Sequence, residues 1–138
     1  MLDRILQSLN SDQILPVKDT EGAVLVIAGA GSGKTRVLTS RIAYLVLGKG
    51  VPCYRIAAIT FTNKAANEMR ERLDKLGVDV NELWVSTIHS LCVRILRARI
   101  QKIGYGDNFT IYDEGDKDRV LKRIVAEVDP EDEKLLKQ

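Results

Sequence analysis

Eight consecutive residues carry the clearest chemistry in this 138-residue chain: Ala28, Gly29, Ala30, Gly31, Ser32, Gly33, Lys34 and Thr35. Three glycines in one short turn let successive backbone N–H groups converge on anionic oxygens with no side chain in the way. The lysine after the last glycine supplies a point charge for the β- and γ-phosphates of a nucleoside triphosphate. The threonine hydroxyl beside it is a ligand for the Mg2+ that bridges those phosphates. Arg36, next in sequence, belongs to the same cofactor-binding set. The strict form of such a loop begins with glycine where this chain has Ala28, so the match is to a relaxed form. An ordinary Gly-rich turn is the competing reading.

A loop of this kind needs a strand before it and a helix after it. Val24-Leu25-Val26-Ile27 is apolar at every position, which predicts a parallel strand buried on both faces. Behind the loop, Val37, Leu38, Ile42, Leu45 and Val46 recur at helical intervals, with Gly48 expected to end the helix in a left-handed conformation. The helix N-terminus adds partial positive charge at the loop.

A second strand is expected over Ile56–Ile59. It delivers Thr60, Phe61, Thr62, Asn63 and Lys64 to the carboxyl edge, where open α/β sheets bind ligands. The helix that follows puts Ala65, Met69, Leu73 and Leu76 on one face and stops at Gly77. A loop phenylalanine among hydroxyls, an amide and a lysine suits single-stranded nucleic acid, the ring stacking on a base and the polar groups holding phosphates. It also suits a core plug. A third strand, Leu83-Trp84-Val85, leads into Ser86-Thr87-Ile88-His89-Ser90 at another helix start. His89 is the only histidine, and it has neither a metal-ligand spacing nor a triad around it. It reads either as a helix-start side chain bonded to nearby backbone or as a donor to a phosphate or base. The basic helix Arg94, Arg97, Arg99, Lys102 beyond it suits the second.

With 45% hydrophobic residues, the chain has material for one core, so one domain or one plus a fragment is expected. No apolar stretch reaches the length of a membrane span and the amino terminus has no signal-peptide core, which predicts a soluble protein with no membrane role. Cys53 and Cys92 form neither a metal spacing nor a disulfide framework, which suits a reducing cytoplasm. The net charge of +2 conceals a segregation. Residues 34–102 carry 13 Lys/Arg against 5 Asp/Glu, while the rest hold 8 basic and 14 acidic residues. A basic middle behind a phosphate loop suits a polyanion partner, although solvated helix faces explain the charge equally well.

Taken in order, these residues resemble the amino-terminal part of the UvrD/Rep/PcrA helicases of superfamily 1. Leu9-Asn10-Ser11-Asp12-Gln13 is similar to the adenine-reading Q motif, which implies that Gln13 contacts the base. Ala28–Thr35 is similar to motif I, including its usual alanine at the first position. Ile59–Met69 resembles motif Ia, which implies single-stranded DNA contact through Phe61, Thr62 and Asn63. Ser86–Ser90 resembles the Thr-Phe-His-Ser motif with Ile88 in place of phenylalanine, carrying DNA roles to Thr87 and His89. Asn108-Phe109-Thr110-Ile111-Tyr112-Asp113 extends the likeness over essentially the whole chain, and Pro16 is atypical.

The resemblance implies an α/β P-loop NTPase fold of RecA-like, three-layer α-β-α type with a parallel sheet. It is truncated after residues 1–86, with residues 87–138 beginning a helical inserted subdomain. It also implies ATP and Mg2+ as cofactors, single-stranded DNA and duplex junctions as partners, and a setting in cytoplasmic DNA repair. The hydrolytic carboxylates, arginine fingers and second motor domain of the family have no counterpart in these residues. Asp113-Glu114 mimics the carboxylate pair, but Asp113 fits better as the cap of a helix with its apolar face at Val120, Leu121, Ile124, Val125 and Val128. Asp129-Pro130-Glu131-Asp132-Glu133 reads as the opening of a further helix. A sheet lacking its remaining strands is expected to be marginally stable or to self-associate. A stand-alone nucleotide- or DNA-binding module and a small phosphoryl-transfer kinase are the alternatives.

Overall fold

The computed structural model describes residues 2–128. They fall into two compact units that divide between Ile95 and Leu96. The helix expected from Asp129 onward lies outside the described residues.

The first unit contains α1 (Leu2–Gln7), α2 (Ser11–Lys18), α3 (Lys34–Ala43), β1 (Ala57–Thr60), α4 (Asn63–Lys75) and β2 (Trp84–Thr87), and it ends within α5 (Ile88–Arg99). β1 and β2 pair in parallel with α4 as the crossover, in the register Ala57 to Trp84 through Thr60 to Thr87. Ala58, Val85 and Thr87 are buried on one face, the period of two that a sheet covered by a helix imposes. α4 turns Ala66, Met69 and Leu73 inward. These meet Ile42 and Ala43 of α3, Ile5 of α1, and Cys53, Val78 and Leu83 in the main core. A smaller cluster joins Leu9, Val17 and Val37 at the α2–α3 contact.

Helix ends follow local chemistry. α4 starts at Thr62, whose hydroxyl accepts from the Ala65 N–H at 3.2 Å. It stops where Gly77 takes φ 79°. The Gly77 N–H then bonds Asp74 and the Val78 N–H bonds Leu73, a left-handed glycine stop with buried Val78 closing over the last turn. Trp84 donates to Ile56 on the β1 side, so Val85 and Thr87, the alternate residues of β2, turn their main-chain polar groups away from β1, and those of Val85 are taken within the chain. The Val85 N–H bonds the Leu83 carbonyl at 3.0 Å, and its carbonyl accepts from the Arg70 guanidinium.

Three expectations are corrected. The run Val24–Ile27 is neither a strand nor buried: it is unpaired, with Leu25 85% and Ile27 89% exposed. A central parallel strand exists only by virtue of ladder partners on its flanks. The sheet among the described residues contains β1 and β2 alone. Gly48 is not left-handed. α3 passes into a π-helical turn over Tyr44–Gly48, the positive φ falls at Gly50, and a Cβ on Gly48 would lie 2.8 Å from Leu2 Cδ2. That glycine serves close packing of α1 rather than a cap.

The third correction concerns the second unit, which holds a 3-10 turn at Ile100–Ile103 and α6 (Glu114–Val128). The apolar face of α6 is not buried: Val120 and Val125 are half-covered, whereas Leu121, Ile124 and Val128 are exposed. Among the described residues a single helix beside a short turn offers too little surface to cover that stripe. Asp113 does cap it. Its carboxylate accepts from the Asp116 N–H at 2.8 Å, and Asp116 reaches back to the Asp113 N–H at 3.3 Å. Arg97 lies over the Phe109 ring, 5.3 Å from its centroid.

Candidate functional site

The phosphate-type loop is built as the glycine pattern requires. Gly31 and Gly33 have φ of 75° and 85°, a region that side chains disfavour. Gly33 is the N-cap of α3 and offers no side-chain bond to its first turn, so the opening N–H groups of a ten-residue helix face outward at residues 34–36. Ser32 stiffens the turn, its hydroxyl donating to the Gly29 carbonyl at 2.8 Å. Lys34 folds back over the loop and donates to the carbonyls of Ala28 at 3.0 Å and Gly29 at 2.6 Å. Thr35 and Arg36 are exposed on the first turn of α3, as are Gly29 and Ala30 in the loop, while Ala28 is half-buried. The Thr39 hydroxyl donates to the main chain of Thr35 and Arg36.

Gln13 is joined to this loop directly. Asn10 and Gln13 form a reciprocal capping box at the start of α2: Gln13 N–H donates to Asn10 Oδ1 at 2.9 Å, and Asn10 N–H to Gln13 Oε1 at 3.3 Å. The other end of the same amide, Nε2, donates to the Ser32 carbonyl at 3.0 Å. The contact is close enough that a Cβ on Gly33 would come within 2.9 Å of Nε2. Between α2, the 26–28 segment and the head of α3 lies a cleft of about 350 Å3 that includes Gln13, Ala28, Ser32 and Lys34. A second of about 270 Å3 shares Pro16, Val26, Lys34 and Val37 with it.

Arg41, which the sequence did not single out, fixes the cleft's wall by donating to the carbonyls of Pro16 and Asp19. Pro16 sits inside α2, and its carbonyl is satisfied by that arginine. A lone arginine in an amphipathic helix carries no sequence signal for such a reach across 25 residues.

The other expected residues gather at the carboxyl edge of the β1–β2 pair. Phe61 is 89% exposed, and Asn63 and Lys64 are exposed at the head of α4. The Thr60 hydroxyl donates to the Thr62 carbonyl at 3.0 Å, which shapes the turn. His89 is exposed, whereas Thr87 is buried. The Thr87 hydroxyl accepts from the Ser90 N–H at 3.2 Å and sits 3.0 Å from the Ser90 hydroxyl, so it caps α5. Among the described residues no three His, Cys, Asp or Glu are placed to hold a metal, and no helix is long and apolar enough to cross a membrane.

The arrangement offers two surfaces of distinct chemistry. One is a concave turn of main-chain N–H donors with an ammonium and a hydroxyl, which suits a phosphate chain with its metal ion. The other is a sheet edge bearing a free aromatic ring beside polar groups.

Comparison with known proteins identifies the family. The family model of the UvrD/REP helicase N-terminal domain matches residues 9–138. The chain is 54% identical over 125 residues to the ATP-dependent DNA helicase PcrA of Staphylococcus aureus, covering 90% of this chain and 17% of that protein. It is 53% identical over 126 residues to the ATP-dependent DNA helicase PcrA of Bacillus subtilis, covering 91% of this chain and 17% of that protein. It therefore spans about a sixth of the length of these relatives. A glycine turn whose φ angles demand glycine, an amide tied to that turn, and a match running from Leu9 onward lead to one assignment: the chain belongs to the UvrD/Rep helicase family, in its N-terminal domain.

Proposed function

We propose that this chain is the nucleotide-gripping part of an ATP-dependent DNA helicase, in which ATP hydrolysis drives translocation on single-stranded DNA and duplex unwinding. The observation that carries the reading is the bond from Gln13 Nε2 to the Ser32 carbonyl, which ties an amide suited to an adenine edge to a turn suited to phosphates. Main-chain N–H groups of residues 29–36 and the Lys34 ammonium hold the phosphate chain. Thr35 ligates Mg2+, and Arg36 adds charge at the same helix head. The donor set fits magnesium nucleotide: the Thr35 hydroxyl would offer the hard cation one oxygen ligand beside a turn of phosphate-binding N–H groups. To receive it, Lys34 leaves the carbonyls of Ala28 and Gly29 and turns to the β- and γ-phosphates.

Phe61, Thr62, Asn63 and Lys64 contact single-stranded DNA, with His89 as a donor and Thr87 holding the helix that presents it. Residues 1–86 belong to a RecA-like three-layer motor domain and residues 87–138 to a helical insertion. Val24–Ile27 becomes its central strand once flanking strands are supplied. On its own the chain binds nucleotide and turns over little, because among the described residues none supplies a positioned base or an arginine finger. Equilibrium titration with a magnesium-complexed, non-hydrolysable ATP analogue tests this. Saturable binding that Lys34→Ala weakens is expected, and no binding by folded protein refutes it. A regulatory module that binds nucleotide or DNA without a motor is the second reading, favoured by the absence of a carboxylate pair near Lys34 among the described residues. Unwinding by a longer natural form of the protein separates the two.

A further inference from the structure

We propose that the cleft along the outer flank of β2 docks an acidic segment of a partner protein, anchored by an apolar side chain. The cleft has a volume of about 430 Å3, the size of a specific binding pocket, and shares no residue with the phosphate-type loop. Val80, Leu83 and Leu91 give it an apolar lining, and Arg70 and Arg94 contribute two guanidinium groups with no carboxylate among the lining residues. Among the described residues every ion pair lies on α6, and neither arginine is paired with a carboxylate of those residues. Both are held in place. Arg94 stacks on Trp84 with its Cζ 4.0 Å from the ring centroid, which leaves the N–H groups at its edge free for an acceptor. Arg70 donates through Nη1 to Asn67 Oδ1 at 2.9 Å and through Nη2 to the Val85 carbonyl. Fixed donors lose little freedom when a carboxylate arrives.

Two contacts decide the kind of occupant. The outward main-chain groups of Val85 are already bonded to Leu83 and Arg70, so an added strand finds no free rung there. The Trp84 face is taken by Arg94, so a base has no ring to stack on from that side. Side-chain recognition remains. The charge selects an anion, and an aliphatic lining of Val80, Leu83 and Leu91 with no open ring beside it suits the aliphatic side chain of an acidic peptide better than a nucleobase.

Trp84 is the only tryptophan in the chain, so tryptophan emission, excited beyond the tyrosine absorption band, reads this cleft. Titration of the 138-residue chain with an acetylated, amidated peptide of alternating Glu and Leu is expected to give a saturable change in emission. Added salt should weaken it, and Arg94→Gln should weaken it about tenfold. Asn81→Glu, on an exposed turn lining the cleft, adds a repelling carboxylate without touching either arginine and is expected to weaken binding similarly. Circular dichroism checks that each variant is folded. No saturable response to the peptide overturns the proposal, as does unchanged affinity in a folded variant. An equal response to inorganic phosphate or to oligothymidylate also overturns it, because the site would then take phosphate rather than an acidic peptide.

Discussion

Thr60 and Thr87 face each other on the last rung of the parallel pair, so the turns that follow both strands leave the sheet at one edge. Phe61 and His89, each a step or two further on, therefore share that edge although 28 positions separate them. Parallel pairing through a crossover helix brings this about.

If that edge takes single-stranded DNA, Phe61→Ala weakens binding by about 1–3 kcal/mol, the range for loss of one stacked base. Melting should hardly change, because the ring is 89% exposed and supports nothing beneath it. Fluorescence anisotropy with a labelled oligonucleotide, paired with a thermal melt, measures both. Equal DNA affinity with a lowered melting point would make Phe61 a structural residue.

Lys34→Ala is expected to weaken magnesium nucleotide by roughly 10- to 100-fold, the scale of about 1.5–3 kcal/mol for a hydrogen bond to a charged group. Its present acceptors are exposed loop carbonyls that water satisfies equally well, so the fold should persist. Calorimetric titration compares the two proteins.

Gly33→Ala combines two faults: a side chain at φ 85°, costing about 1–2 kcal/mol, and a Cβ 2.9 Å from Gln13 Nε2. The variant should lose nucleotide affinity. Adding Gln13→Ala removes the second fault alone, so chemical denaturation should show the double variant to be more stable than the sum of the two single changes.

In the core, Leu73→Ala should cost about 2–5 kcal/mol, since Leu73 is fully buried among α4, β1 and β2 neighbours. Urea unfolding followed by far-UV dichroism gives the value. A loss below about 0.5 kcal/mol would mean that α4 is not docked on the sheet in solution.

Cys53 carries a pH dependence. Burial, then the negative charges of Asp79 and Glu82, hold its thiol above the ordinary value. The folded state therefore keeps its proton where the unfolded chain has begun to lose it. The stabilisation is fully present below the ordinary thiol value and declines as pH rises from there through the folded value. Melts from neutral to alkaline pH should fall more steeply for the native chain than for Cys53→Ala. Parallel slopes would assign the decline to other groups.

What the sequence disclosed was whatever depends on a residue and its near neighbours. The turn at Gly31 and Gly33, the stop at Gly77 and the cap at Asp113 rest on local conformation, and each stands where the pattern placed it. Val24–Ile27 has the composition of a buried strand, yet burial is a property of partners and this run has none beside it. Gly48 was misread for a related reason: its space is required by Leu2, 46 positions away, which no helix-end rule contains. At the candidate site, the glycines, Lys34 and Gln13 were legible. The reach of Gln13 to Ser32, and those of Arg41 to Pro16 and Arg70 to Val85, were not, because long side chains choose acceptors only after the elements have packed.

The bonds that occupy both outward groups of Val85 give the sheet a direction of growth. With Val85 closed to a neighbour, the flank beside Ala57–Thr60 is the more open one, and it is there that Val24–Ile27 would enter the sheet.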